Sequence, residues 1–188
     1  MQEAQRMKLT SLLERLEYEV RQGSDEIEVT ELVNDSRKVT EGSVFVCISG
    51  AVSDGHTYVE EVAGKGAKAV IVEKPVEAPE GVTVIHVDDT RYALALMSAA
   101  YFGYPAEKLH VIGKTTTTYM VKSILEAAGH NVGLIGTIEA VIGDKTIPAN
   151  NTTPESFTIH KYFAEMVEAG CDSVVMEVSS QGLMLHRT

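Results

Sequence analysis

The stretch Leu109-His110-Val111-Ile112-Gly113-Lys114-Thr115-Thr116-Thr117-Thr118 constrains this chain more than any other. A short apolar strand enters Gly-Lys-Thr, and a helical pattern from Tyr119 to Ala128 leaves it. Strand, Gly-Lys-Thr, then helix is the layout of a phosphate-binding loop. The lysine ammonium reaches terminal phosphates, the first hydroxyl holds Mg2+, and the helix N-terminus adds its amides and positive dipole end. Gly113, Lys114, Thr115 and Thr116 are therefore the candidate nucleotide-binding residues, with Thr115 also a metal ligand. The glycine-rich run that should wrap the phosphates with backbone N–H groups is reduced to Gly113 alone. A true deletion there cripples the site; the expectation is instead that loop residues are missing from the sequence as written.

The chain has 188 residues, enough for one large domain or two small ones with a real core. Its net charge of -11 argues against a nucleic-acid partner, because phosphate contacts dominate that affinity. No long apolar run occurs, so neither a signal peptide nor a membrane span is expected. Cys47 and Cys171 stand apart with no paired spacing and read as small core residues in a reducing, cytoplasmic setting.

Along the chain, apolar residues at Leu9, Leu12, Leu13, Leu16 and Val20 predict a helix from Leu9 to Val20. Strands are predicted over Ile27 to Leu32, Val44 to Ile48, Ala69 to Val72 and Val82 to Val87, with a helix from Tyr58 to Lys65. This is a small α/β domain ending near Asp88. An alanine-rich helix from Thr90 to Tyr101 follows, then the phosphate-loop strand and helix, and a strand from Val132 to Ile135. Next come a hairpin turning at Gly143-Asp144 and a helix with Thr153 as N-cap and Pro154 at its first position. The last strand runs from Ser173 to Val178. Alternating strands and helices after the loop imply a parallel mononucleotide-binding sheet, of which only about three strands can be read. The chain is accordingly expected to be part of a longer protein.

Glu177 is the second chemical candidate. A carboxylate inside an apolar strand is costly to bury unless paired with a lysine or bound to a metal. At the carboxyl end of a strand beside the loop strand, it suits Mg2+. Asn151-Thr152-Thr153 places an amide and two hydroxyls at a helix start, beyond what a cap needs, and suits a carboxylate or phosphate. Ser179, Ser180, His186 and Arg187 follow the Glu177 strand, without the geometry to argue a catalytic triad.

Taken together, several segments resemble the Mur ligases. Asp35-Ser36-Arg37-Lys38-Val39 with Gly42-Ser43-Val44-Phe45, and Gly50 with Asp54-Gly55-His56, are similar to segments shared by the MurE and MurF types. Asn151-Thr152-Thr153-Pro154 and Glu177-Val178-Ser179-Ser180-Gln181, with His186-Arg187, are similar to the MurE type, the UDP-N-acetylmuramoyl-dipeptide amino-acid ligases. The resemblance implies an N-terminal UDP-binding α/β domain over residues 1–88 and an incomplete ATP-binding P-loop domain over residues 89–188. It also implies an amino-acid-binding domain that is absent from these residues. The implied cofactors are ATP and Mg2+, and the implied partners are UDP-MurNAc-L-Ala-D-Glu and a free amino acid, L-lysine or meso-diaminopimelate. A monomeric cytoplasmic enzyme of peptidoglycan synthesis is expected, with no nucleic-acid or membrane partner.

On this resemblance Ser36, Asp54, Gly55 and His56 contact the uridine diphosphate end, while Asn151, Thr152, Thr153, Ser179 and Arg187 hold the muramoyl-peptide part. Lys114 and Glu177 are the catalytic pair, Lys114 stabilising the transferring phosphoryl group and Thr115 with Glu177 ligating Mg2+. Leu185 departs from the pattern, since many members carry glutamine there. The rival expectations are a MurF-type ligase and a UDP-sugar-binding module that has lost its P-loop. The residues as they stand are expected to lack ligase activity.

Overall fold

The computed structural model describes residues 6–50, 53–113 and 118–188. The chain divides into two compact units, Met1–Met97 and Ser98–Thr188.

The first unit opens with β1 (Met7–Lys8) and α1 (Leu9–Leu13), followed by β2 (Glu19–Gln22), β3 (Glu28–Val29), β4 (Leu32–Val33) and β5 (Val44–Val46). It continues with α2 (Val59–Gly64), β6 (Ala69–Val72), β7 (Thr83–His86) and α3 (Thr90–Tyr101), a helix that runs across the division between the units. Its main sheet has the order β2-β7-β6-β5-β4. β4 to β7 run parallel, and β2 joins β7 antiparallel. β6 is buried at all four positions, as an interior parallel strand covered on both faces must be. The parallel arrangement puts the residues after β4, β5, β6 and β7 on one edge of the sheet. Phe45, Val59, Val62, Val70 and Val84 belong to the core beneath.

The second unit holds β8 (His110–Gly113), α4 (Thr118–Ala127), β9 (Val132–Ile135), β10 (Glu139–Ile142), β11 (Lys145–Pro148), α5 (Ser156–Glu168), β12 (Ser173–Met176) and α6 (Ser180–Met184). Its sheet order is β11-β10-β9-β12-β8. β12 lies between β8 and β9, parallel to both, with Met176 level with Gly113 on one side and Ile135 on the other. β10 and β11 form the hairpin, with Ile142 opposite Lys145 across the Gly143-Asp144 turn. β12 and β9 are wholly buried, while β8 is largely exposed at the edge. Ile135, Ile159, Phe163, Met166, Val174 and Met176 fill the core between sheet and α5.

Three readings of the sequence are corrected. The strand read over Ile27 to Leu32 is broken into β3 and β4, which pair in different sheets. The helix from Leu9 stops at Leu13, and Glu19–Gln22 is a strand instead. Leu9, Leu12 and Leu13 are buried on one helical face, but the polar segment after them completes the sheet by pairing with the open edge of β7. The helix expected from Thr153 begins at Ser156, with Glu155 as its N-cap residue. Thr153 is buried and spends its hydroxyl elsewhere, on the segment after β12.

Candidate functional site

In the second unit the carboxyl ends of three parallel strands carry the candidate chemistry. Ligands of open parallel sheets bind outside such ends. Glu177 follows directly on β12, and its backbone N–H donates to Ile135 O at 2.8 Å, continuing the sheet one residue past the strand. Its half-exposed carboxylate accepts hydrogen bonds from Thr137 Oγ1 on Oε2 and, at 3.4 Å, from Thr118 Oγ1 on Oε1. No described lysine is paired with it. Thr137 follows Gly136 at the end of β9, and Thr118 opens α4, so one carboxylate is held from the flanking strand and from the helix after β8.

A second set of bonds ties Glu177 to the Asn151–Thr153 segment. Thr152 Oγ1 lies 3.2 Å from Thr137 Oγ1. Thr153 Oγ1 donates to Glu177 O at 3.1 Å and accepts from the Ser179 N–H at 3.0 Å. Ser179 in turn caps α6 by accepting from the Gly182 N–H at 3.0 Å. A Cβ on Gly182 would stand 2.7 Å from Thr153 Cγ2, so only glycine lets α6 sit this close. Arg187 closes the set: Nη1 donates to Thr153 O at 3.0 Å and Nη2 pairs with Glu155 Oε1 at 2.6 Å. Its side chain is 16% exposed, and its Nε is buried with no partner among the described residues. An orphaned guanidinium donor fits an anionic oxygen. Asn151 lines a neighbouring cleft of about 150 Å3 with Glu155, Thr158 and Tyr162.

Thr152, Thr153, Glu177, Ser179 and Arg187 are thus brought together. Gly113 ends β8 and meets Val178 Cγ2 at 3.4 Å from where its Cβ would be. Lys114, Thr115 and Thr116 lie outside the described residues. What is described on either side is a strand ending at Gly113 and a helix beginning at Thr118. A single carboxylate ringed by hydroxyls fits Mg2+, which prefers oxygen, keeps several waters and takes one or two carboxylates beside substrate phosphates. No cluster of three or more acidic, histidine or cysteine ligands occurs among the described residues. Sequence reasoning missed Thr118, Thr137 and Glu155. The legible signal for Thr137 was its place just past a buried strand that ends in glycine.

In the first unit, Ser36 and the Asp54-Gly55-His56 loop follow the adjacent strands β4 and β5 on the same sheet edge. Ser36 begins a 3-10 turn capped by Asp35, and its carbonyl accepts from Lys65 Nζ at 2.9 Å. The Arg37 guanidinium beside Asp35 holds that carboxyl at about 2. Asp54 caps the next 3-10 turn through His56 N and pairs with Lys74 Nζ at 2.9 Å. Lys74 first, then His56, hold the Asp54 carboxyl well below its usual range. The His56 ring is 6% exposed, with Nδ1 at 2.6 Å from Asp54 Oδ1. Its Nε2 accepts the Glu73 N–H at 3.1 Å, which places the ring proton on Nδ1. Both nitrogens are engaged, so the imidazole braces the loop. A Cβ on Gly55 would meet Ile48 N at 2.7 Å and Cys47 Cα at 2.9 Å, so this loop packs on the end of β5 only as glycine. The result is an open cleft of about 420 Å3 lined by Asp54, His56, Thr57, Glu60 and Lys74.

Comparison with known proteins agrees with both units. Residues 28–102 match the description "Mur ligase family, catalytic domain", and residues 112–188 match "Mur ligase middle domain". A Clostridium perfringens protein named UDP-N-acetylmuramoyl-L-alanyl-D-glutamate–2,6-diaminopimelate ligase is 48% identical over 187 residues, covering 96% of this chain and 39% of its own length. A Clostridium tetani protein of the same name is 45% identical over 190 residues, with the same coverage of 96% and 39%. The chain therefore spans about two fifths of the length of these relatives. Among solved structures, a ligase of that name shares the fold with a TM-score of 0.78 at 18% identity, over 97% of this chain and 38% of that one. MurF from Acinetobacter baumannii shares it with a TM-score of 0.58 at 23% identity, over 93% and 36%. The two matched regions cover most of both units, and the chain belongs to the Mur ligase family.

Proposed function

We propose that these residues belong to an ATP-dependent ligase that adds the third amino acid to UDP-MurNAc-L-Ala-D-Glu in the cytoplasm during peptidoglycan synthesis. The name of the relatives makes 2,6-diaminopimelate the amino acid we favour over L-lysine. The observation that carries the reading is Glu177, a half-exposed strand-end carboxylate tied by threonine hydroxyls and its own carbonyl to the Asn151–Thr153 segment and Arg187. In the reaction, the γ-phosphoryl of ATP passes to a substrate carboxylate oxygen and ADP leaves. The amine of the amino acid then attacks the acyl carbon, phosphate leaves, and the amine gives up a proton. Bound Mg2+ would neutralise charge on the phosphates. Glu177 would hold it with Thr115, while Lys114 stabilises the transferring group and Gly113 and Thr116 line the nucleotide. Arg187, Ser179, Asn151, Thr152 and Thr153 orient the peptide, and Ser36 with the Asp54–His56 loop holds the uridine end. We assign residues 1–88 and 89–188 to these two tasks, in a protein that works as a monomer.

The test is calorimetric binding of UDP-MurNAc-L-Ala-D-Glu to the purified 188 residues. Binding that weakens at least about tenfold in Arg187→Met supports the reading, because loss of a buried charged hydrogen-bond donor has that size. No binding of the dipeptide overturns it. We further propose that these residues alone do not form the tripeptide; a coupled ADP-release assay with diaminopimelate checks this, and turnover refutes it.

One observation favours a second reading, a UDP-sugar-binding module without ATPase chemistry: Gly113 stands alone before Lys114. An intact mass of 20.4 kDa with no extra peptide between Val111 and Thr118, together with no ATP binding, selects the module. A larger mass with a glycine-rich peptide selects the ligase.

A further inference from the structure

The hydroxyls around Glu177 meet at Thr137, which has fewer protons than acceptors. An ionised carboxylate only accepts, and a threonine hydroxyl has one proton to give. Thr137 Oγ1 is bonded to Glu177 Oε2 and also lies 3.2 Å from Thr152 Oγ1. Thr137 is the donor in both contacts, so its single proton is shared between two acceptors, Glu177 Oε2 and Thr152 Oγ1. Thr152 Oγ1 is the acceptor in this pair, and its own proton is left for a ligand of the Asn151–Thr153 segment. Among the described residues the other carboxylate oxygen is held by Thr118 Oγ1 alone, at 3.4 Å, so Thr137 is the main described hold on the Glu177 side chain.

From this arrangement we infer that Thr137 is a positioning residue that orients the Glu177 carboxylate for a divalent cation and passes the state of that carboxylate to Thr152. The inference rests on the proposed reading of Glu177 as a metal-holding residue. A cation drawing on the carboxylate weakens it as an acceptor. The Thr137 proton then turns to Thr152 Oγ1, and a hydroxyl that accepts more strongly donates more strongly, here to a ligand oxygen. The metal site and the peptide-holding segment are thereby coupled through one exposed hydroxyl that has no motif to mark it. Hydrogen-bonded partners behind a metal ligand fix its orientation in this way.

The test is an NMR titration of the purified chain with Mg2+ alone, read on threonine methyl groups in wild type, Thr137→Val, Thr137→Ser and Glu177→Gln. Wild type is expected to show saturable shifts at Thr118, Thr137 and Thr152, and E177Q none. T137V should raise the half-saturating Mg2+ about tenfold and silence Thr152, while T137S stays within about twofold of wild type. Thermal unfolding of each variant separates this from general loosening, and Thr137→Ala gives the same readout should T137V not fold. If Thr152 responds in T137V as in wild type while E177Q abolishes the response, the role of Thr137 is refuted and the Glu177 reading stands. If wild type does not respond, or E177Q responds like wild type, the Glu177 reading fails and takes this inference with it.

Discussion

At the scale of single residues, the second unit carries one group with a clear pH signature. His160 lies on α5 with its Nδ1 buried and without a partner among the described residues, edge-on to Phe163 at 6.1 Å between ring centroids. Burial pulls its imidazole down to about 4. Above the ordinary histidine value both folded and unfolded chains carry it neutral. Between about 6.5 and 4 the unfolded chain binds the proton and the folded chain does not, so stability falls as pH falls through that window. Urea unfolding of wild type and His160→Phe at pH 7.5 and pH 5 should show a histidine-dependent loss on the order of 2 kcal/mol, absent in the variant. Equal losses in the two chains would remove His160 as the cause. None of this was legible beforehand, because histidine in a helix looks the same in sequence whether it faces solvent or core.

At the scale of elements, the join between the Asn151–Glu155 segment and the β12–α6 turn is the least local feature of the site. Thr153 Oγ1 bridges Glu177 O and Ser179 N, and the Thr153 carbonyl accepts a hydrogen bond from Arg187 Nη1. Thr153→Val keeps the shape and leaves the Ser179 N–H and Glu177 carbonyl unpaired, which should cost about 1–3 kcal/mol in chemical denaturation. Thr153→Ser should recover most of it; no loss in the valine variant would show that the bridge is dispensable. The strands Ala69–Val72 and Val132–Ile135 and the helix Thr90–Tyr101 match their sequence reading residue for residue. Their apolar runs or helical spacing have one local interpretation. Thr153 as an N-cap and the helix reaching Val20 had equally good local support and were overridden, the first by a partner 26 residues away and the second by the edge of β7.

At the scale of the whole molecule, each unit contains one free and buried cysteine. Cys47 is 0% exposed in the first, and desolvation pushes its thiol up to about 12; Cys171 is 6% exposed in the second. Both should resist a thiol reagent in the native chain and react within minutes once denatured. Each reports on its own unit, so peptide mapping along a urea series gives the unfolding midpoint of each separately. Fast labelling of Cys47 in native buffer would contradict its burial and its raised pKa.

By itself the sequence determined what short-range chemistry can determine. Runs of apolar residues set the interior strands, and the spacing around Gly-Lys-Thr set a strand before it and a helix after it. A carboxylate at the end of an apolar strand had to have a reason to be there. Only the tertiary structure decided which hydroxyls surround Glu177, that Thr137 links it to Thr152, that Glu155 faces Arg187, and that both nitrogens of His56 are committed. The physical reason is that hydrogen bonds between side chains depend on which strand ends become neighbours. Parallel pairing of β8, β12 and β9 brings together residues tens of positions apart in the chain. Pattern and propensity are local quantities, and they carry no record of that pairing.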